Sequence, residues 1–268
     1  MKQLFKLITT LHDIRLISSF FLLDIFFPKF CVGCGEYGNY VCEKCVKEIE
    51  IIKTSTCPEC GKISPLGKFC SKCKQKLNIE LSGIIVAANY EVGPTREMIH
   101  HLKYSGFTEL SDLLGELIVQ RMLFEPSLRG VIDEAIYLNG LPRPKDRSRN
   151  DRKDTILIPV PLHVNKQTKR GFNQSELIAQ YVSNRTKIPF KNALARVKQT
   201  ESQVGLTGSE RRSNLEGAFV VNKKSLVSGK SIFLVDDVTT TYSTLNECAK
   251  ELKSAGAKKV YGLVVAKG

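Results

Sequence analysis

The sequence predicts an α/β domain with a mainly parallel sheet and helices on both faces, preceded by a small cysteine-rich zinc module. Two observations predict this arrangement. After residue 79, short apolar runs alternate with helical patterns, as is typical of strands joined by crossover helices. Before it, the chain carries four C-x-x-C pairs, and this spacing is typical of metal sites rather than of disulfides. The 268 residues are enough for two domains.

The first 30 residues contain an apolar stretch that is too short to span a membrane. Asp24 interrupts the stretch Leu16–Phe27, whereas a span needs about 20 apolar residues. The residues that follow it, Pro28 to Cys31, lack the small side chains of a signal-peptide cleavage site. We therefore predict that residues 1–30 form an amphipathic helix docked on the body or on a partner, in a cytoplasmic protein without a membrane span. A location at a membrane surface is the minor alternative.

The four C-x-x-C pairs fall into two blocks of the same form, which predicts two structural zinc sites within residues 31–78. Each pair places two sulfurs on one side of a tight turn, and two such turns complete a tetrahedron. Gly35 and Gly61 follow the second cysteine of a pair, where the turn needs a permissive backbone. Since every ligand is a thiolate of the chain, no coordination position is left open for catalysis. The predicted ligands are Cys31, Cys34, Cys42, Cys45, Cys57, Cys60, Cys70 and Cys73.

Three features of this module stay open at the level of sequence. Pairing within each block is the simplest arrangement, but a cross-braced arrangement is an alternative. An iron–sulfur cluster is the minor alternative to zinc. The module either covers a hydrophobic edge of the α/β domain or offers a platform for protein or nucleic acid, and we favour the first role.

Residues 79–268 carry the predicted α/β domain. A polar segment at 139–154 contains prolines and no apolar periodicity, which indicates a flexible insertion. The ninth cysteine, Cys248, is expected in the core. Strands are predicted at 84–88, 155–160, 218–221, 231–235 and 260–266. Helices are predicted at 96–122 with a break at 106, at 176–186 and at 243–255.

The strongest functional signal is a run of acids and hydroxyls that follows the apolar residues 232–235. Asp236 and Asp237 come first, and a helix then opens among Thr and Ser side chains. Ligands of parallel sheets lie at the carboxyl ends of strands, and a helix N-terminus favours phosphate. The two carboxylates suit a ribose diol and Mg²⁺. The pattern thus predicts a site for a phosphorylated ribose, with a plain cluster of helix-capping residues as the alternative. The predicted phosphate-binding residues are Val238, Thr239, Thr240, Thr241, Tyr242, Ser243 and Thr244.

Residues 236–244 resemble the PRPP-binding signature of type I phosphoribosyltransferases, and the chain from about Leu16 to its end resembles the ComF family of competence-associated proteins. Five blocks support the resemblance, because they occur in the order that the family has. Besides the signature itself, the blocks are Phe27-Pro28 before the first cysteine, Leu102-Lys103-Tyr104, the segment 158–163 leading to Lys169–Gln174, and Glu210–Asn214 before Gly217–Phe219.

The resemblance implies a type I phosphoribosyltransferase domain that binds PRPP with Mg²⁺ and displaces pyrophosphate, with an unknown acceptor. Asp236 and Asp237 would orient the ribose. It also implies a link to DNA uptake, with single-stranded DNA and a helicase-type uptake protein as partners. The net charge of +13 suits anionic partners, although a lysine-rich surface explains it equally well. A non-enzymatic sensor of PRPP or nucleotides and a single-stranded DNA-binding competence factor are the alternatives to an enzyme.

The resemblance further assigns a pyrophosphate loop and a mobile flap. The loop follows the strand at 155–160, and the leaving group needs cations and backbone donors there. Lys169 and Arg170 supply cations, and Gly171 permits a tight bend; a surface turn with incidental charges is the alternative. The flap spans 196–214, and its candidate contacts are Lys198, Gln203, Arg211 and Arg212.

One position departs from the family pattern. Tyr242 stands where the family usually has Gly, which lets the backbone approach the 5′-phosphate closely. A Tyr there needs either a different backbone angle or a side chain turned outward. Two other residues near the site are expected to be incidental, Lys103 as a solvated helix residue and His163 as a lone histidine.

Overall fold

The computed structural model describes residues 28–128, 154–198 and 215–268. The predicted N-terminal helix therefore lies outside the described residues apart from 28–30, and the predicted insertion lies outside them apart from Asp154. No helix in the described ranges is both long enough and apolar enough to cross a membrane.

The described strands form a parallel sheet and a small antiparallel ribbon. The sheet has the order β1-β6-β5-β2 and is parallel throughout. β3 and β4 pair with each other in antiparallel fashion. The strands are β1 (Gly83–Asn89), β2 (Thr155–Pro159), β3 (Leu194–Arg196), β4 (Phe219–Val221), β5 (Ser231–Thr239) and β6 (Lys259–Lys267).

Helices cover both faces of the sheet, as predicted. Side chains alternate along β5, so that Ile232 and Leu234 face one layer while Phe233 and Val235 face the other. The first layer contains α8, with Cys248 fully buried as expected, and the second contains α3, α4 and α6. The helices are α1 (Glu43–Glu48), α2 (Ser71–Leu77), α3 (Thr95–Tyr104), α4 (Leu110–Phe124), α5 (Val164–Arg170), α6 (Gln174–Thr186), α7 (Lys224–Val227) and α8 (Ser243–Ser254).

The cysteine-rich module covers the edge of the sheet at β1, which confirms the role we favoured from the sequence. Ile51 and Lys68 form isolated bridges with Ala88 and Gly83 of β1. A 3₁₀ turn at Pro65–Gly67 lies so close to β1 that a side chain at Gly67 would collide with a backbone carbonyl. An exposed strand edge would otherwise be open to pairing with other chains.

Two predictions about elements were wrong: the end of β5, and the segment after β2 that we expected to be a loop. β5 continues beyond residue 235 to Thr239, because β6 is equally long and pairs with it up to Thr239 and Lys267. The segment 161–171, predicted as a loop, contains helix α5, which His163 caps by accepting a hydrogen bond from the Asn165 amide (3.3 Å). His163 thus has a local capping role.

Candidate functional site

Asp236 and Asp237 lie on the extended end of β5 and are both buried. Oδ1 of Asp236 accepts hydrogen bonds from the Ser175 hydroxyl (2.8 Å) and from the Asp237 amide (3.0 Å). Oδ1 of Asp237 lies 3.0 Å from Nζ of Lys103 on α3. Three elements, β5, α3 and α6, therefore position the acid pair.

The surroundings of the acid pair oppose its full ionisation. Burial raises the pKa of Asp236 to about 7, and the charge of Asp237 adds to this effect, while Ser175 and Lys103 partly counter it. Among the described residues, Oδ2 of Asp237 has no hydrogen-bond partner although it is buried. A buried acceptor without a partner is costly, so this oxygen suits a ligand hydroxyl or a hydrated cation. On this observation the donor set fits Mg²⁺.

A cavity of about 230 Å³, here called the aspartate cavity, adjoins the acid pair. Three cations line it: Lys103, Lys166 of α5 and Arg196 of β3. Burial lowers the pKa of Lys166 and of Arg196, since both charges are partly removed from water. The cavity combines two carboxylates with three cations, which suits a ligand that carries both hydroxyls and phosphates.

The predicted pyrophosphate residues lie at the C-terminal end of α5 and are not among the residues that line the aspartate cavity. Lys169 is exposed. Arg170 donates a hydrogen bond to the Gln174 side chain and lies over the ring of Tyr104, 5.7 Å from its centroid. Gly171 ends the helix in the left-handed conformation, with a φ of 85°. Lys166, one helical turn before Arg170, is the α5 cation that lines the cavity.

The predicted phosphate loop is divided between two cavities. Val238 and Thr244 line the aspartate cavity. Residues 240–243 line a larger cavity of about 580 Å³, here called the hydroxyl cavity, at the start of α8. The hydroxyls of Thr241 and Ser243 lie 3.0 Å apart. Thr239 is buried, and its carbonyl accepts a hydrogen bond from the Gly268 amide (3.0 Å).

Tyr242 keeps the left-handed backbone that a glycine would adopt, with a φ of 61°. Its side chain is buried rather than turned out to solvent. The ring contacts Phe69 edge to face at 5.5 Å, and the hydroxyl donates a hydrogen bond to the Pro58 carbonyl (2.6 Å). The tyrosine that stands where the family usually has glycine is thus accommodated, because its side chain packs onto the cysteine-rich module.

Of the candidate flap at 196–214, the structure describes only residues 196–198. The β3–β4 ribbon joins the segments on either side of the flap, and Nζ of Lys198 donates a hydrogen bond to the Glu216 carbonyl (2.8 Å). Gln203, Arg211 and Arg212 lie outside the described residues.

Three residues of the site were missed or undervalued at the level of sequence. Lys103 was expected to be solvated, yet its side chain is only 18% exposed and paired with Asp237. Ser175 was not assigned to the site, and Arg196 was included only as the first residue of the flap and not among its candidate contacts. No local pattern in the sequence marks these residues: Ser175 reaches the site because β2 lies next to β5, and Arg196 because it forms a bridge with His163 after β2.

Each cysteine block forms one four-thiolate site, so the pairing is sequential. In both blocks the four sulfurs lie within 4.8 Å of one another. The sulfurs of Cys34 and Cys42 lie 3.6 Å apart, and those of Cys60 and Cys70 lie 3.8 Å apart. Both distances match the sulfur–sulfur edge of about 3.8 Å in a zinc tetrahedron with Zn–S bonds of about 2.3 Å. The blocks therefore fit two structural zinc ions, and we call them ribbon 1 (31–45) and ribbon 2 (57–73).

Two family models match the chain. The double zinc ribbon domain matches residues 22–78, and the phosphoribosyl transferase domain matches residues 168–268. The first contains both cysteine blocks, and the second contains α6, β5 with its acid pair, and α8.

Curated relatives match most of the chain. Competence protein F of Haemophilus influenzae is 30% identical over 84% of this chain and 95% of its own length. The DNA utilization protein YhgH of Escherichia coli O157:H7 is 32% identical over 87% of this chain and 94% of its own length. Competence protein ComFC of Bacillus subtilis is 23% identical over 81% of this chain and 79% of its own length.

Proposed function

The chain belongs to the ComF family, and from this premise we propose that it binds PRPP with Mg²⁺ at Asp236 and Asp237, as a phosphoribosyltransferase that serves DNA uptake or utilization. The observation that carries the proposal is the buried acid pair beside three cations, with the Oδ2 acceptor of Asp237 unfilled. The names of the relatives, which refer to competence and DNA utilization, support the wider role.

The acid pair would bind the ribose diol. Oδ2 of Asp237 is available to accept a hydrogen bond from a hydroxyl, and Asp236 is held in place by Ser175. The 5′-phosphate would lie at the start of α8, where backbone amides and the hydroxyls of Thr241 and Ser243 offer donors. Because the acid pair and the phosphate donors lie on one continuous segment of the chain, they would fix the ribose and its phosphate relative to each other.

The three cations of the aspartate cavity would hold the pyrophosphate. In the proposed transfer, a nitrogen nucleophile bonds to C1 of the ribose while the bond from C1 to the pyrophosphate oxygen breaks. The electron pair leaves with the pyrophosphate, and the nitrogen loses its proton to solvent. Lys103, Lys166 and Arg196, which line this cavity, would stabilise the negative charge that develops on the leaving group. Bound Mg²⁺ would neutralise part of the same charge.

Calorimetric titration of the zinc-loaded protein with PRPP and Mg²⁺ tests the proposal. We expect binding that is lost in Asp236→Asn/Asp237→Asn and kept in Glu91→Gln/Glu97→Gln, which removes two exposed acids. Equal binding by both double variants, or no binding by the wild type, would refute it. Pyrophosphate release in the presence of nitrogen acceptors then separates an enzyme from a PRPP sensor.

An aromatic array beside the aspartate cavity favours single-stranded DNA binding as a second candidate function. Neighbouring ring centroids lie 4.5 to 5.9 Å apart, and a cation lies over each end, 5.2 and 5.7 Å from the last ring. Stacking surfaces next to cations are what sequence-tolerant binding of single strands uses. The array comprises, in spatial order, Lys29, Tyr40, Phe107, His101, His100, Tyr104 and Arg170.

Tyr104 is the residue of the array to test, because its side chain is 70% exposed. Stacking of a base is worth about 1–3 kcal/mol, so Tyr104→Ala should weaken binding of an oligothymidylate by about tenfold. Ile63→Ala, at an 82% exposed residue of ribbon 2, should leave this affinity unchanged. Affinity should also fall steeply with salt. Equal effects of the two substitutions would rule out the array as the DNA site.

We also propose that the protein works in the cytoplasm. Zinc sites of four thiolates need cysteines that are reduced and deprotonated, and all nine cysteines are free in the structure. A reducing compartment meets that need.

A further inference from the structure

Tyr242 joins the proposed phosphate loop to ribbon 2. Its hydroxyl donates a hydrogen bond to the carbonyl of Pro58, which lies between the ligands Cys57 and Cys60. Its ring packs edge to face on Phe69, the residue before the ligand Cys70. Pro58 and Phe69 are therefore bonded directly to residues that would hold the second zinc ion.

Lys267 strengthens the same junction from β6. Its Nζ donates a hydrogen bond to the same Pro58 carbonyl (2.7 Å) and lies 5.2 Å from the centroid of the Tyr242 ring. The hydroxyl cavity is bounded on one side by residues 240–243 and on the other by Glu59, Lys76 and neighbouring residues at and after ribbon 2. Ribbon 2 thus forms part of the wall of the proposed phosphate site.

Tyr242 has a backbone conformation that needs support. A φ of 61° costs little for glycine but is unfavourable for a bulky side chain, and such residues persist where their surroundings hold them. The contacts with Pro58 and Phe69 supply that support. If ribbon 2 loses its metal and its two turns separate, the support is lost and residues 239–245 relax.

Ribbon 1 provides an internal comparison. Its residues Val32, Tyr40 and Val41 pack with the layer that contains α3 and α4, whereas Phe69 packs with the layer that contains α8. The two zinc sites have the same ligands and similar burial. They differ in which face of the sheet they contact.

We propose that zinc in ribbon 2, acting through Tyr242, holds the phosphate loop in its anion-binding conformation, so that the affinity for the phosphorylated ligand depends on ribbon 2 and not on ribbon 1. The ligand in this inference rests on the proposed function. Tyr242 is a positioning residue in it.

A matched pair of zinc-ligand variants tests the inference. Cys60→Ser and Cys34→Ser each remove the exposed second cysteine of a block, and each should lower the zinc content from two ions to one. Amide hydrogen exchange of residues 239–245 reports on the loop without any ligand. We expect exchange there to rise about tenfold in Cys60→Ser and to stay unchanged in Cys34→Ser, with PRPP·Mg²⁺ affinity falling in the first alone.

Variants at Tyr242 keep the test valid if Cys60→Ser does not fold. Tyr242→Phe removes only the hydrogen bond to Pro58 and should raise exchange of the loop about 3- to 10-fold. In Tyr242→Gly the left-handed backbone no longer depends on the ribbon, so adding Cys60→Ser should change loop exchange no further.

The outcomes separate this inference from the proposed function. Equal loop exchange in Cys60→Ser and Cys34→Ser, or wild-type exchange in Tyr242→Phe, would overturn the coupling. Loop exchange that responds to ribbon 2 in a protein that binds no PRPP would support the coupling and refute the proposed ligand.

Discussion

Nζ of Lys103 lies 3.0 Å from Oδ1 of Asp237, which joins the last turn of α3 to the end of β5. The exposed fractions of these side chains are 18% and 3%. Burial alone would lower the pKa of Lys103, but the charges of Asp237 and Asp236 outweigh it and raise the pKa. The ammonium therefore stays charged and offsets part of the cost of burying two carboxylates.

Removing this ammonium should destabilise the fold. Lys103→Met leaves Asp237 buried without its counter-charge, and breaking a buried pair in this way costs about 3 kcal/mol. Urea unfolding measures the loss. In Lys103→Met/Asp237→Asn the uncompensated charge is gone, so much of the stability should return. Strictly additive costs of the two substitutions would show that the pair is not coupled.

The raised pKa of Asp236 predicts a pH-dependent stability. Its folded-state pKa of about 7 lies above the ordinary aspartate value of 3.8, so the folded protein binds more protons than the unfolded chain between these values. The stabilisation that comes from protonated Asp236 is full below about pH 4 and is lost as the pH rises through 7. Asp236→Asn, which can still accept the hydrogen bond from Ser175, should therefore stabilise the fold at pH 8 by on the order of 1 kcal/mol or more, and little at pH 4.

Thermal midpoints of wild type and Asp236→Asn, recorded from pH 4 to pH 8, check this prediction. Asp154→Asn serves as the control, because Asp154 is 59% exposed and its ion pair with Lys230 should be worth little. A difference in thermal midpoint between Asp236→Asn and wild type that does not change with pH would contradict the predicted pH dependence.

The sequence was informative where function follows from local spacing. The four C-x-x-C pairs predicted both zinc sites, and the hydroxyls after the acid pair predicted the start of α8, although the acids lie within β5 and not after its end. Lys103 could not be predicted in this way, because its role comes from the packing of α3 against the sheet edge where β5 ends. A lysine near a helix end has the same local pattern whether it faces water or a buried carboxylate.

Tyr242 illustrates a second limit of local reasoning. Its replacement of glycine was visible in the sequence and led us to expect either a different backbone angle or a side chain turned outward. The structure instead keeps the positive φ and buries the ring. The destination of its side chain depends on Phe69 and Pro58, which lie far away along the chain and are placed by the ribbon's own metal site. Only the fold brings these residues together.

Arg196 should contribute to binding of pyrophosphate more than to binding of ribose 5-phosphate. It lines the aspartate cavity from β3, whereas the proposed 5′-phosphate donors lie at the start of α8. Arg196→Gln should weaken pyrophosphate binding about tenfold, since a charge-assisted hydrogen bond is worth about 1.5–3 kcal/mol, and should leave ribose 5-phosphate binding within about twofold. Lys191→Gln, at an exposed residue before β3, is the control. Equal losses for both ligands would place Arg196 outside the pyrophosphate site.

The two zinc sites should differ in their importance for global stability. Cys57, Phe69 and Cys73 of ribbon 2 belong to the same buried cluster as α8 and the sheet, while the ligands of ribbon 1 belong to neither core cluster. Cys57 and Cys31 are otherwise matched, since each is the first ligand of its block, is buried, and accepts a hydrogen bond from the amide of its third ligand. Loss of metal from ribbon 2 therefore loosens ligands that are themselves part of the core, whereas in ribbon 1 only the half-buried residues Val32, Tyr40 and Val41 pack against a core cluster.

Cys57→Ser should accordingly destabilise the protein by on the order of 2 kcal/mol more than Cys31→Ser, because it loosens packing against α8 as well as the metal site. Metal analysis should give two zinc ions per chain for the wild type and one for each variant. Chemical unfolding of both variants, followed by the far-ultraviolet signal of the α/β domain, measures the difference. An equal loss of stability in the two variants would mean that ribbon 2 is not part of the domain core in solution.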